Sequence, residues 1–131
     1  MAKTRVEKDF LGEREVPAEA LWGIHTLRAL ENFPIANRPV RVPLIRAFGA
    51  VKMACARANN ELNRFSKEVF NALETACADM MEGRLDAQVV VDALQGGAGT
   101  STNMNVNEVL ANRALQILGR DLGDYEVIHP L

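Results

Sequence analysis

Apolar residues return at helical spacing in several long stretches of this chain. From Pro43 to about Arg64, the residues Leu44, Phe48, Val51, Cys55, Ala58 and Leu62 repeat at intervals of three and four, which predicts a helix with a core-facing stripe. Arg46, Lys52, Arg57 and Asn60 fall on its other faces and read as solvated. Phe65-Ser66 breaks the pattern. Val69, Phe70, Leu73, Cys77, Met80 and Met81 then form a second stripe, with Gly83 as its stop. Two amphipathic helices joined by so short a connection should fold into a hairpin. Further on, Val106, Val109, Leu110, Arg113, Ala114 and Ile117 mark a helix that ends near Gly119.

The remaining segments are shorter. Pro17 suits the start of a helix, and Ala18 to Phe33 reads as helical with Leu21, Trp22, Leu27 and Leu30 packing inward. Phe33 to Val42, with Pro34 and Pro39, reads as a linker. Asp86-Ala87-Gln88 is compatible with a helical turn, and Val89 to Leu94 reads as extended. Residues 1–17 are polar and irregular, with at most a short strand pair between Arg5 and Val16. Residues 120–131 form a tail. The predicted fold class is mainly α, without internal repeats.

Composition narrows the functional classes. The 131 residues suit one domain, and 48% apolar content supports a folded core. A formal net charge of -2 gives no basic footprint for nucleic acid. No apolar run is long enough to span a membrane, and the N-terminus lacks an apolar signal region, so a soluble, cytoplasmic protein is the expectation. Cys55 and Cys77 fit no metal-ligand spacing and sit among alanines, which reads as two small buried thiols. No metal is expected.

Candidate chemistry concentrates in Gln95-Gly96-Gly97-Ala98-Gly99-Thr100-Ser101-Thr102-Asn103-Met104-Asn105-Val106-Asn107-Glu108. Three glycines in four positions lead through hydroxyl and amide side chains into a helix start. Glycine allows close backbone approach and positive φ. The first turn of a helix has unpartnered N–H groups and partial positive charge. Together these suit a carboxylate or phosphate. The same pattern also suits a plain turn with an N-cap, and the pattern alone leaves both open. A phosphate-binding P-loop requires a lysine that is missing here, and a dinucleotide fingerprint starting at Gly97 requires glycine where Thr102 stands.

The run Gly96 to Asn112 resembles the first signature segment of the fumarase/aspartase superfamily, and its Gly-Gly-Ala-Gly-Thr-Ser form is similar to that of aspartate ammonia-lyases. A second segment agrees: Leu11-Gly12-Glu13-Arg14-Glu15-Val16-Pro17, followed by Trp22-Gly23-Ile24-His25-Thr26-Leu27-Arg28-Ala29. Nearly the whole chain is covered, against only the beginning of the family's sequence.

The resemblance implies the N-terminal helical domain of the L-aspartase-like fold over residues 1–131, a piece of a larger chain without the central helix bundle. It implies conversion of L-aspartate to fumarate and ammonia without a cofactor, in a homotetramer whose active sites draw on three subunits. Thr100 matches the family threonine that contacts a substrate carboxylate, with Gly99 and Ser101 beside it. Asn103 matches an amide near the same site, and a helix-capping role fits it equally. Ala98 stands where fumarases carry a substrate-contacting serine, which favours the ammonia-lyase over a malate/fumarate hydratase. His25 and Thr26 are placed in the site's vicinity, although a lone histidine is more often structural. His129-Pro130 matches the start of a second dicarboxylate segment that Leu131 then departs from, and no site is assigned there. The resemblance places the general-base serine loop beyond Leu131, so no catalytic residue is assigned and the piece alone is expected to be inactive. Outside this family, the alternatives are a non-catalytic helical module for anion binding or assembly and a nucleotide-binding βα unit.

Overall fold

The structure, a computed structural model, describes residues 3–131. Met1 and Ala2 of the expected N-terminal arm lie outside the described residues. The rest of that arm is an ordered antiparallel hairpin of β1 (Thr4–Asp9) and β2 (Gly12–Pro17), with Asp9 opposite Gly12. Phe10-Leu11 makes the two-residue turn. Gly12 takes φ +115°, and the Asp9 carboxylate accepts the Leu11 amide at 2.8 Å. Four helices follow: α1 (Ile24–Asn32), α2 (Val42–Glu61), α3 (Lys67–Met81) and α4 (Thr100–Ile117). The mainly helical expectation holds. Among the described residues no helix is long and apolar enough to cross a membrane.

The first helix starts six residues later than the sequence pattern predicts. Pro17 closes β2 instead of opening a helix. The Arg5 guanidinium explains the delay. It donates to the carbonyls of Pro17, Ala18, Ala20 and Trp22 at 2.7–3.2 Å, and to the Glu7 carboxylate at 2.9 Å. Pro17 makes one turn, its carbonyl also accepting the Ala20 amide at 3.1 Å, and with the carbonyls of Ala18, Ala20 and Trp22 held by Arg5, residues 17–22 stay non-helical.

α2 and α3 form the predicted hairpin, but α2 buries a different stripe. Ile45, Gly49 and Ala56 face inward. Leu44, Val51 and Leu62 are 51%, 58% and 67% exposed, and Cys55 is exposed too. Gly49 shows why. A Cβ there would lie 2.9 Å from Met81 Cγ and 3.1 Å from the Cys77 carbonyl, so α2 meets α3 along its small residues. Bulkier residues on that face would hold the axes apart. On α3, Cys77 and Met80 are buried as expected, whereas Met81 is exposed. Ser66 caps α3 by accepting the Val69 amide, and Gly83 ends it at φ +84°.

Residues 86–88 take the helical turn that the sequence allows, and residues 89–94, read as extended, start extended at Val89 without joining a sheet. Asp86–Gln88 is a 3-10 turn, Val89 and Val91 are buried, and pairing is limited to one bridge between Asp92 and Pro39. The buried carboxamide of Asn105 on α4 takes over part of the ladder's role. Its oxygen accepts the amides of Val90 and Val91 at 2.8 and 3.3 Å, and its nitrogen donates to the Gln88 carbonyl at 3.0 Å.

Asn105 comes after Thr102 in a row of four buried polar residues on one face of α4. Glu108 and Asn112 follow at three and seven residues. The Glu108 carboxylate accepts the backbone amides of Gly23, His25 and Thr26 at 2.8–3.1 Å and the Thr26 hydroxyl at 2.6 Å. Glu7 accepts the Ile24 amide at 2.8 Å. Two carboxylates thus fill the N-terminus of α1, where anions are favoured. Asn112 donates to the Leu21 carbonyl and accepts the Gly123 amide at 2.7 Å, fixing the chain on both sides of the core. Around this face pack Val106, Val109, Leu110, Ala114 and Leu115 with Met80, Val91 and Ile128.

Removing one side of a buried charged network leaves its partners unsatisfied, at about 3–5 kcal/mol. Glu108→Leu is therefore expected to lose at least about 3 kcal/mol in urea unfolding followed by circular dichroism. Leu44→Ser, on the outer face of α2, should stay within about 0.5 kcal/mol of the parent.

Candidate functional site

The glycine segment and the start of α4 form one open edge of the molecule. Gly97 and Gly99 take φ +78° and +81°, the left-handed region that side chains disfavour. Gly96 lies against the Phe33 ring, where a Cβ would approach Cε1 to 3.2 Å. Gly99 is the N-cap of α4 and offers no side chain to the first turn, which holds no acidic residue. The Asn103 amide returns to the Gly99 carbonyl at 3.1 Å, and the Thr102 amide donates to Gln95 Oε1 at 2.9 Å. Thr100 is exposed and Ser101 half-buried, and their amides belong to the first turn, where a helix has no acceptor of its own.

The site residues inferred from the sequence divide into two groups. Ala98, Gly99, Thr100, Ser101 and Asn103 come together at this edge. His25 and Thr26 sit on α1, against the Glu108 end of the buried polar face. The Thr26 hydroxyl is wholly buried and spent on Glu108, and the His25 amide is spent there too. The backbone of both residues and the Thr26 hydroxyl thus order the start of α1. Asn103 is not the helix cap, since Gly99 holds that position. Its Oδ1 accepts a hydrogen bond from Lys52 Nζ at 2.7 Å.

That bond corrects the reading of Lys52 as solvated. Lys52 reaches from α2 to the open face of α4, where Thr100, Asn103 and Asn107 lie three and seven residues apart. α4 thus carries two polar stripes: one buried and structural, one open. Lys52 and Asn107 also line a cavity of about 490 Å³ between α2, α3, α4 and the 127–131 segment. Residues 98–101 do not line it. His129 lies on its wall, accepting the Leu131 amide on Nδ1 and meeting the Tyr125 ring edge-on at 5.9 Å. Cys77 is buried there and its thiol is pushed up to about 11 by that burial, so it stays protonated at neutral pH. Cys55, read from the sequence as buried, is exposed at the rim of this cavity. Among the described residues no group of three or more His, Cys, Asp or Glu is arranged to hold a metal ion.

Two further residues behind the loop carry no local sequence signal. Asp92 accepts the amides of Ile35, Ala36 and Asn37 on one oxygen and that of Leu94 on the other, at 2.8–3.0 Å. Gln95 spans the glycines to Thr102. The bonds of Asp92 to residues 35–37 cross between segments that only the fold brings together.

With this geometry established, comparison with known proteins identifies the family. A lyase family model matches residues 12–130. The chain belongs to this lyase family. It is 48% identical over 126 residues to the aspartate ammonia-lyase of Bacillus subtilis, covering 96% of this chain and 26% of that protein. It is 49% identical over 129 residues to the aspartate ammonia-lyase of Escherichia coli K12, covering 96% of this chain and 27% of that protein. A solved structure of fumarate lyase:delta crystallin from Brucella melitensis superposes with a TM-score of 0.95 at 52% identity, over 98% of this chain and 30% of that one. The class II fumarase of Schistosoma mansoni superposes with a TM-score of 0.85 at 35% identity, over 92% of this chain and 26% of that one. The fold is the helical N-terminal domain of the fumarase/aspartase superfamily. The chain spans about a quarter to a third of the length of these lyases.

The Asp92 contacts predict a pH dependence. The amide of Leu94, with those of Asn37, Ala36 and Ile35, holds the carboxyl below its ordinary value of 3.8. A depressed folded value adds stability above the unfolded value, and that stability is lost as pH falls through the folded one. Asp92→Asn should therefore melt below the parent at neutral pH, with the gap closing as pH drops below 3.8. Thermal melts of both proteins across that range check this.

Proposed function

We propose that this chain supplies the carboxylate-binding edge of an ammonia-lyase that converts L-aspartate to fumarate and ammonia. The observation that carries the reading is the contrast between two helix starts. The N-terminus of α1 is filled by Glu7 and Glu108. The N-terminus of α4 has a glycine cap in the left-handed region and no acidic side chain in its first turn. An anion from outside is the complement of such a terminus.

The chemistry follows from what that edge can stabilise. A base removes the proton from the carbon next to the β-carboxylate, and its electron pair moves into that carboxylate as a doubly charged aci-form. As this collapses, the carbon–nitrogen bond breaks and ammonia leaves with its electrons. The barrier lies in the developing charge. Preorganised donors aimed at such charge are worth about 2.7–4 kcal/mol each where one has been removed from another enzyme. Here the donors are the Thr100 and Ser101 amides and hydroxyls, with the Asn103 amide side chain and the Lys52 ammonium on the same face. Ala98 stands where fumarases carry a substrate-contacting serine, which supports elimination of ammonia over hydration of fumarate. The base is assigned to no residue of this chain.

The exposed apolar outer face of α2, with Leu44, Val51 and Leu62, supports completion of the site by further protein surface, in a homotetramer. On this reading the chain alone binds the dicarboxylate without turning it over. Ultraviolet detection of fumarate from L-aspartate, on the purified chain and on the product of the whole gene, tests this. Activity in the chain alone overturns the composite site. Turnover of malate with none of aspartate transfers the reading to a hydratase. In the active protein, Thr100→Val is expected to lower kcat/KM at least about tenfold, or about 1.4 kcal/mol. Kinetics like the parent's would remove Thr100 from the site.

A further inference from the structure

Gln95 does for α4 what a capping residue ordinarily does, from four residues before the N-cap. The usual N-cap is Ser, Thr, Asp or Asn, whose own oxygen turns into the amides of the first turn. Position 99 is a glycine and supplies no side chain. Instead, Gln95 Oε1 accepts the Thr102 amide at 2.9 Å, and Gln95 Nε2 donates to Thr102 Oγ1 at 2.8 Å and to the Asp92 carbonyl at 2.8 Å. Thr102 is buried beneath the loop, so these bonds are formed away from bulk water.

The clasp is anchored in turn. The Asp92 carboxylate gathers the amides of residues 35–37, and the Ala93 amide donates to the Arg38 carbonyl at 2.8 Å. A continuous set of hydrogen bonds thus runs from the 35–38 turn through Asp92 and Gln95 to the third residue of α4. Gly96 to Gly99 are held at both ends by one side chain. What the clasp leaves alone matters as much. It takes the third amide of α4 and leaves the Thr100 and Ser101 amides facing outward.

The choice of glutamine has a physical reason. A neutral carboxamide accepts the Thr102 amide without placing negative charge beside an anion's seat. A glutamate would supply the same acceptor, but its charge would repel an incoming carboxylate. It would also lack the donor that Thr102 Oγ1 and the Asp92 carbonyl require. We infer that Gln95 is a positioning residue of the anion site. It closes the third amide of α4 and fixes the glycine loop so that the Thr100 and Ser101 donors stay open to a dicarboxylate. For the identity of that ligand, the inference rests on the ammonia-lyase reading.

The test uses three variants of the chain, Gln95→Met, Gln95→Glu and Thr102→Val. Two quantities are read by nuclear magnetic resonance: hydrogen exchange of the Thr102 amide, and the fumarate Kd from the Thr100 and Ser101 amide shifts. Gln95→Met is expected to speed Thr102 exchange and raise the Kd, each by about tenfold. Gln95→Glu should keep Thr102 exchange slow and still weaken fumarate binding. Thr102→Val keeps the amide bond to Gln95 and should weaken binding less than Gln95→Met. A folded Gln95→Met with fast Thr102 exchange and an unchanged Kd overturns the inference. If Gln95→Met does not fold, unchanged binding in both other variants overturns it. Absence of any fumarate response in the unsubstituted chain brings down the ammonia-lyase reading and this inference with it, a failure visible before any substitution is made.

Discussion

The buried carboxylate of Glu108 is the contact on which the arrangement of the chain depends. It lies in the middle of α4 and gathers three backbone amides and a hydroxyl from the start of α1, more than eighty residues earlier in sequence. A buried charge is expensive unless it is hydrogen-bonded, and this carboxylate accepts four bonds. Gly23 shows how tightly the cluster closes: a Cβ there would come within 2.5 Å of Glu7 Oε2 and the Tyr125 hydroxyl, and within 2.9 Å of Glu108 Oε1. The hairpin, α1, α4 and the C-terminal segment all meet at this point. Their relative placement follows from hydrogen-bond satisfaction as much as from apolar burial.

The same helix applies opposite rules at its two polar faces. On the inner face, Asn105, Glu108 and Asn112 bond to backbone of other segments and to the Thr26 and Tyr125 hydroxyls, which rigidifies the core. On the outer face, Thr100 and Asn103 keep groups turned toward solvent, and Lys52 brings a cation beside them. A rigid inner face is what allows the outer one to be preorganised. Donors that stabilise developing charge are effective only if they need not reorganise as it appears. The clasp of Gln95 and Asp92 extends that rigidity to the glycine loop, which has little side-chain packing of its own.

Several errors of the sequence reading share a cause. α2 carries two candidate apolar stripes, one bulky and one small. Periodicity favours the bulky one, whereas close approach to α3 at Gly49 selects the small one. The late start of α1 comes from Arg5 occupying four carbonyls, and from Glu7 and Glu108 supplying acceptors for the amides at Ile24 to Thr26. The stretch at 89–94, read as extended, joins no sheet because Asn105 takes the Val90 and Val91 amides that a neighbouring strand would have used. In each case a side chain distant in sequence competed with a local backbone preference and won.

By itself, the sequence determined the elements that local physics controls. These are the existence of α2, α3 and α4, to within a few residues at their ends, the hairpin of the first two, the glycine loop entering α4, and the clustering of Ala98 to Asn103 at one helix end. The signature residues in that loop were enough to point to the family. Tertiary structure alone decided which face of α2 is buried, where α1 begins, that Thr26 serves Glu108, and that Lys52, Asp92 and Gln95 stand behind the site. Helical spacing and glycine are properties of a few adjacent residues and can be read in order along the chain. A hydrogen bond between residues seven to eighty-five apart exists only once packing has brought its two ends together.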